Sequence, residues 1–231
     1  MEENRFAEQV RKWLEDANAL WIYNGSPMKE APHALLTSGL HSDGFANVGQ
    51  VLKEQVEIRR EFTQYIVATV IISRCAELHR VVGADTSSTD LAKEVADLLG
   101  VRHIAMVKTE DERGKKQEWH PDNTSLQEGD MILHLEELIT TSFSALQVRE
   151  GIRRANPEVL VRFVPILPTV VERSNPEDRI VRVENSMIVP LLQLDIRNFS
   201  PGRDTCPYCA VGSEALRPKY GDNWSRLTGK L

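Results

Sequence analysis

No stretch of about 18 apolar residues occurs in the 231-residue chain, so no membrane-spanning helix and no membrane partner are expected. Cysteine is scarce. The three present, an odd number, argue against a disulfide framework and for a reducing compartment. The opening Met1-Glu2-Glu3-Asn4-Arg5 lacks the basic-then-apolar layout of a secretory leader, and a cytoplasmic location is the expectation. Positive charge is also short, with 28 Lys and Arg against 34 Asp and Glu, for a formal charge of −6. A general nucleic-acid binder needs a large basic face, so no nucleic-acid partner is expected. An anionic small molecule needs only a local positive patch. The length suits one α/β domain with a full core and modest additions.

Chemistry concentrates between Asp130 and Ser144. Met131-Ile132-Leu133-His134-Leu135 is a short, mostly apolar run, Glu136 and Glu137 follow, and Thr140, Thr141, Ser142 and Ser144 place four hydroxyls within five residues. Ala145, Val148, Ile152 and Ala155 then recur at spacings of three and four, a helical stripe. The order is buried strand, hydroxyl-rich turn, helix N-terminus. The first turn of a helix offers unpaired N–H groups and a positive dipole end, which suit a phosphate. The two carboxylates can accept from sugar hydroxyls or hold a divalent cation, so a ribose bearing a phosphate fits both halves. Ser and Thr are equally ordinary helix caps, and acids before a helix are common in loops.

The same pattern occurs earlier. His79 to Ala84 reads as a strand, Asp85-Thr86-Ser87-Ser88-Thr89-Asp90 as a hydroxyl-packed turn, and Leu91, Val95, Leu98 and Leu99 as one helix face. Residues 3 to 21 read as an amphipathic helix through Phe6, Val10, Trp13, Leu14, Ala17 and Trp21, and residues 54 to 79 as a long helix with Cys75 a small core residue. Residues 35 to 49, with three glycines and no helical period, read as two short strands presenting Ser38, His41 and Asp43 at an edge. Lys108 to His120 has mixed charge without period and reads as a solvated loop. Val159 to Ile166 reads as a buried parallel strand, with Pro165 and Pro168 placing its end nearby.

Leu135-Glu136-Glu137-Leu138-Ile139-Thr140-Thr141-Ser142-Phe143-Ser144 resembles the phosphoribosyl-pyrophosphate loop of the type I phosphoribosyltransferases: a strand, two acids, two aliphatics, then Thr-Thr-Gly-Gly-Ser/Thr. The second acid is usually Asp rather than Glu137, and Ser142-Phe143 replace the glycine pair. Ser38-Gly39, His41-Ser42, Phe45 and Asn47 match the N-terminal hood of the orotate phosphoribosyltransferases, with Thr37 and Leu40 where that family has basic residues. Gly83, Ala84, Leu91 and Ala92 match its pyrophosphate loop, with Ser87-Ser88 in place of another glycine pair.

The resemblance implies an α/β fold with a mostly parallel central sheet flanked by helices and a small hood from about residues 35 to 52, within a domain ending near residue 200. It implies transfer of phosphoribosyl from phosphoribosyl pyrophosphate to orotate, giving orotidine 5′-monophosphate and pyrophosphate with Mg²⁺. Glu136 and Glu137 would hold the ribose hydroxyls, Thr140, Thr141, Ser142, Phe143 and Ser144 the 5′-phosphate, and Asp85, Thr86, Ser87, Ser88 and Lys108 would face the pyrophosphate. Lys108 to His120 would be a mobile catalytic loop with Arg113, Lys115, Lys116 and His120 as its cations, Ser38 would contact substrate from the hood, and Arg173 would pair with the base carboxylate. Such enzymes are commonly homodimers. Two alternatives remain: a non-catalytic nucleotide-binding regulatory homologue, and a phosphoribosyltransferase acting on another nucleobase. In the tail from residue 201, Cys206-Pro207-Tyr208-Cys209 is half of a zinc knuckle, whose tetrahedral site needs four ligands. With no second cysteine pair in the chain, a zinc shared across a dimer is one reading. Trp224 and Leu227 would pin the tail to the body.

Overall fold

The protein is described by a computed structural model, which describes residues 2–73, 77–86, 88–111 and 114–229. Cys75, Ser87, Arg113 and the side chain of Lys115 lie outside the described residues. In chain order the elements are α1 (Glu2–Asp16), β1 (Leu20–Ile22), β2 (His33–Leu35), β3 (His41–Ser42), β4 (Gly44–Ala46), α2 (Val48–Glu54), α3 (Val56–Ile72) and β5 (Leu78–Gly83). There follow α4 (Thr89–Leu99), β6 (Arg102–Ile104), β7 (Met106–Asp111), β8 (Gly114–Trp119), β9 (Met131–Ile139), α5 (Phe143–Ala155), β10 (Arg162–Phe163) and β11 (Ile166–Ser174). The last are β12 (Arg182–Val183), β13 (Ser186–Asp195), β14 (Asn198–Phe199), α6 (Pro207–Ala210), β15 (Ala215–Leu216) and α7 (Asn223–Thr228).

Two compact units share the chain. The first comprises the residues up to Glu8, Val48–Glu172 and Ile180–Gln193. Its sheet runs β12-β13-β11-β9-β5-β6, with β10 also on β9. β9 pairs in parallel with β5, β10 and β11, and β5 with β6, while β12 is antiparallel to β13. This is the α/β, mostly parallel sheet that the strand–turn–helix pattern implies. Helices α4 and α5 present apolar stripes, burying Leu91, Ala92 and Val95 in one case and Ala145, Val148 and Ile152 in the other. Val82, Ile104, Ile132, Val148 and Ile152 meet in one core cluster. Because β5 and β9 are parallel neighbours, with Gly83 opposite Leu135, the polar turns that leave them lie at the same edge of the sheet. That edge, beyond the carboxyl ends of the strands, is where open α/β sheets place ligands.

The second unit comprises Gln9–Asn47, Arg173–Arg179 and the chain from Leu194 on. Its sheet is ordered β14-β3-β2-β15, and β1 pairs separately with β4. The tail from residue 201 is thus part of this unit, together with the residues from Leu194 that lead into it. Residues 48 to 52, expected in the hood, lie in α2 of the first unit. Trp224 packs edge-on to Phe45 at 5.9 Å between ring centroids, and Leu227 is buried, as expected for a pinned tail.

Several boundaries differ from the sequence reading. α1 stops at Asp16 rather than residue 21, because Asn18 turns into the left-handed region at φ +52° and frees Leu20–Ile22 to pair with β4. The second long helix ends at Ile72. Lys108 to His120 is no loop: β7 and β8 form an antiparallel hairpin, Lys108 opposite Gln117, whose Met106 and Gln117 are buried. β11 runs through Pro168, since its pairing with β9 begins only at Thr169, where the missing proline N–H takes no rung from that ladder. Among the described residues no helix is long and apolar enough to cross a membrane.

Candidate functional site

Adjacent residues of a strand point to opposite faces. Glu136 and Glu137 therefore cannot share one role, and in the first unit they do not. Glu137 is half-buried at the end of β9, and its Oε2 accepts from the Ser88 hydroxyl at 2.5 Å, while its own backbone N–H donates to the same Ser88 oxygen at 3.1 Å. Ser88, at the N-terminus of α4, is wholly buried. One hydroxyl thus joins the first polar turn to the acid of the second.

Glu136 is 2% exposed, and its Oε1 lies 3.0 Å from His134 Nε2. That distance resembles an ion pair, but burial holds both groups neutral. It lifts the Glu136 carboxyl to about 8, against the pull of Arg149, and lowers the His134 imidazole well below its ordinary value. Arg149 Nε donates to His134 Nδ1 at 3.3 Å, so the imidazole proton sits on Nε2 and faces Glu136. The guanidinium itself is fully buried, donates to Val183 O, Glu184 and Ser186, and lies 4.3 Å from the Phe163 ring centre. Glu184, hydrogen-bonded by Arg153 and Arg149, is held down at about 2 and balances that charge.

These residues edge a cleft of about 270 Å³ lined by Asp85, Lys108, Lys116, Gln117, Glu136, Glu137, Phe143, Ser144 and Gln147, with Ala84 and Leu138. The lining sets two lysines, Lys108 and Lys116, beside the carboxyl groups of Asp85, Glu136 and Glu137. The turn after β5 is fixed rather than loose. Asp85 N–H donates to Gln117 Oε1 at 3.0 Å, and Gln117 Nε2 returns a bond to Asp85 O at 2.8 Å. The Asp85 carboxylate accepts from the Lys108 backbone N–H at 3.1 Å and the Thr89 hydroxyl at 3.5 Å, so it anchors the hairpin and helix rather than pointing at a ligand. Thr86 is exposed beside it.

At the second turn, Ser142 adopts φ +60°, and α5 begins without a side-chain cap. The first amides of α5 therefore have no side-chain acceptor at the cap, the condition an anion exploits. Thr141 and Ser144 are exposed, Thr140 is half-buried, and the Ser142 hydroxyl is enclosed without a hydrogen-bond partner. Phe143 is 58% exposed at the rim and leaves the cleft open.

Of the expected site residues, the cleft lining gathers Glu136, Glu137, Lys108, Asp85, Phe143 and Ser144, and Ser88 stands behind Glu137. Thr86, Thr140, Thr141 and Ser142 are outside that lining. Gln117 and Gln147 line it without any motif having marked them. Arg173 and Ser38 belong to the second unit. There Arg173 is buried, donates from Nη1 to Gly44 O at 3.0 Å, and is lowered to about 10 by burial, with Asp43 opposing. Ser38 is exposed in a turn and accepts from Leu40 N–H at 3.5 Å. Cys206 and Cys209 also lie in the second unit, together with His33 and His41.

No family model matches the chain. The orotate phosphoribosyltransferase of Desulforamulus reducens is 31% identical over 196 residues, which cover 80% of this chain and 87% of that protein. Among solved structures, the orotate phosphoribosyltransferase from Aeropyrum pernix has a TM-score of 0.57 at 14% identity, covering 80% of this chain and 93% of its own. That of Mycobacterium tuberculosis has a TM-score of 0.52 at 18% identity, covering 84% and 97%. At such identities the superpositions speak to the fold alone.

Proposed function

The chain belongs to the orotate phosphoribosyltransferase family, within the type I phosphoribosyltransferases, and on that premise we propose that its cleft transfers phosphoribosyl from phosphoribosyl pyrophosphate to orotate. The observation that supports this most directly is the Ser88 hydroxyl shared with Glu137, which holds the acid of one polar turn against the other beside the uncapped start of α5. Glu137 accepts from the ribose hydroxyls, and the first amides of α5, with Thr140, Thr141, Ser144 and the backbone of Ser142, take the 5′-phosphate. Lys108 and Lys116 face the diphosphate, where positive charge matters most as the C1–O bond breaks. The pyrophosphate oxygen keeps the electron pair of that bond. The orotate ring nitrogen bonds to C1, its proton passes to solvent, and the products are orotidine 5′-monophosphate and pyrophosphate. Glu136, protonated and tied to His134, is held by its own buried partners and is not a second ribose acceptor.

Mg²⁺ suits this donor set: the ion commonly takes one or two carboxylates and completes its shell with substrate phosphates and water, and Glu137 is the carboxylate at hand. When bound it neutralises charge on the diphosphate. Arg173 remains the proposed partner of the base carboxylate, Ser38 a hood contact to substrate, and a homodimer the proposed assembly, which sedimentation equilibrium tests. Purified protein is incubated with phosphoribosyl pyrophosphate, Mg²⁺ and single bases while pyrophosphate is followed. Release with orotate and not with adenine is expected; release with a purine alone assigns another base. A second reading is favoured by Ser142, a non-glycine residue at φ +60° with a buried unpaired hydroxyl in the phosphate turn. Under it the cleft binds a nucleotide without turning it over, and binding of phosphoribosyl pyrophosphate with no release from any base would establish it.

A further inference from the structure

The second unit contains a cluster that the transferase chemistry leaves unused. His33 on β2 and His41 on β3 project from one face of the small sheet, β2 and β3 being antiparallel with Leu35 opposite His41. Cys206 precedes the single turn of α6, and Cys209 lies within it. Each offers one ligating atom, and the four atoms lie within 4.8 Å of one another. His33 Nε2 is 2.9 Å from His41 Nδ1, 3.8 Å from Cys206 Sγ and 3.9 Å from Cys209 Sγ, and Cys209 Sγ is 3.2 Å from His41 Nδ1. A tetrahedral Zn²⁺, with bonds of about 2.3 Å to sulfur and about 2.0–2.1 Å to nitrogen, separates its ligands by about 3.3–3.8 Å. The four distances, from 2.9 to 3.9 Å, bracket that range.

We propose that His33, His41, Cys206 and Cys209 form a tetrahedral structural Zn²⁺ site within a single chain, stapling the C-terminal tail to the hood sheet. The surroundings fit this role. Ser213 Oγ donates its one proton to Ala31 O at 2.7 Å, so towards His33 Nδ1, 2.8 Å away, it can only accept. His33 therefore carries its proton on Nδ1 and turns the Nε2 lone pair to the cluster, the arrangement that orients a ligating histidine. Backbone N–H groups of Tyr208 and Cys209 hydrogen-bond the Cys206 sulfur. Tyr208 stacks on His33 with ring centroids 5.2 Å apart and also contacts Tyr23 and Phe199, so an aromatic wall flanks the cluster. Three of the four ligands are buried, and both cysteines are free thiols rather than a disulfide. The physical need is plain as well. Strands of two or three residues bury little surface, and small sheets of this kind depend on a staple. Three protein ligands and a water would suit a catalytic metal, whereas four protein ligands close the shell and indicate structure.

The inference does not depend on the transferase assignment, and metal content is read without any activity. Full-length protein is purified without chelator and analysed for metals. One zinc per chain is expected, lost to a strong chelator and restored by Zn²⁺ alone. Co²⁺ in its place should give the visible bands of a tetrahedral thiolate site. Cys209→Ser and His41→Ala should each lose the bound zinc, while Cys75→Ser keeps it. Ser213→Ala, which spares every ligand, should weaken Zn²⁺ binding by about 10–100-fold. Absence of zinc with no uptake by the wild-type chain would overturn the proposal, as would half an equivalent per chain, iron in place of zinc, or a Cys206–Cys209 disulfide in the reduced-state preparation.

Discussion

Glu136→Gln separates the two acids by their response to pH. The wild-type carboxyl is 2% exposed, and burial raises it from the ordinary 4.5 to about 8. Between those values the folded protein keeps a proton that the unfolded chain has released, so stability must fall as pH rises. The contribution is intact below pH 4.5, declines through the interval and is fully lost above pH 8. A difference from 4.5 to about 8 corresponds to a ceiling of about 5 kcal/mol, with a slope of at most about 1.4 kcal/mol per pH unit. Glutamine keeps an oxygen to accept from His134 Nε2–H and cannot ionise. Buried neutral His134 produces the opposite effect at acid pH, but it is present in both proteins and cancels in the difference. Urea unfolding at about pH 5, about pH 6.5 and about pH 8 should show the variant gaining on the wild type at each step. Two parallel pH profiles would refute a buried, protonated Glu136. The variant should also retain most of its turnover, because the proposed ribose acceptor is Glu137.

Glu137→Ala removes that acceptor, and the loss of charge-assisted hydrogen bonds of about 1.5–3 kcal/mol each should lower kcat/KM by about a hundredfold or more; an unchanged value in steady-state assays would remove Glu137 from the site. Gly151→Ala places a Cβ 2.2 Å from the Gln117 carbonyl oxygen and 3.1 Å from Met106 Cε, so α5 and the β7–β8 hairpin must separate. A loss of about 1–3 kcal/mol in thermal unfolding is expected, together with a lower kcat as Gln117 releases Asp85; a wild-type melting temperature would show that the close approach is not needed. Ser142→Gly should stabilise the chain by up to about 1–2 kcal/mol, the cost of holding a non-glycine residue in the left-handed region, and a destabilised variant in denaturant unfolding would show that the enclosed hydroxyl has a partner in solution.

The strand–turn–helix units were legible because their signals are local. An apolar run, a hydroxyl cluster and a helical stripe follow one another within twenty-odd residues, and β9 with α5, like β5 with α4, formed where that order placed them. The fate of Glu136 was also available in principle, since neighbouring strand residues face opposite ways. What fixes it inward is Arg149, thirteen residues further along the chain, whose buried charge needs His134, Glu184 and Ser186 together. The hairpin of β7 and β8 was hidden for a similar reason. Its mixed charge has no period of its own, and it is held by Gly151 of α5 and by Gln117 reaching Asp85. The tail cysteines found their partners furthest away, Cys206 lying 173 positions after His33, a separation no spacing rule spans.

Both polar turns carry serine where the family has glycine, and the structure shows that the two exchanges have different physical meanings. At Ser88 the added side chain is an asset: its hydroxyl takes one bond from the Glu137 amide and gives one to the Glu137 carboxylate, a link that glycine could not supply. Gly83 makes room for it, since a Cβ there would lie 2.7 Å from the Ser88 Cβ. At Ser142 the backbone keeps the left-handed conformation natural to glycine, the side chain gains no partner, and the strain is retained. Ser88 holds Glu137 in place, while the turn before α5 keeps a backbone path that leaves its first amides without a side-chain cap. Serine in place of glycine therefore does not by itself argue against the proposed anion site. The task of fixing Glu137 falls to one buried hydroxyl, and of the two turns the one at Ser142 carries the strain.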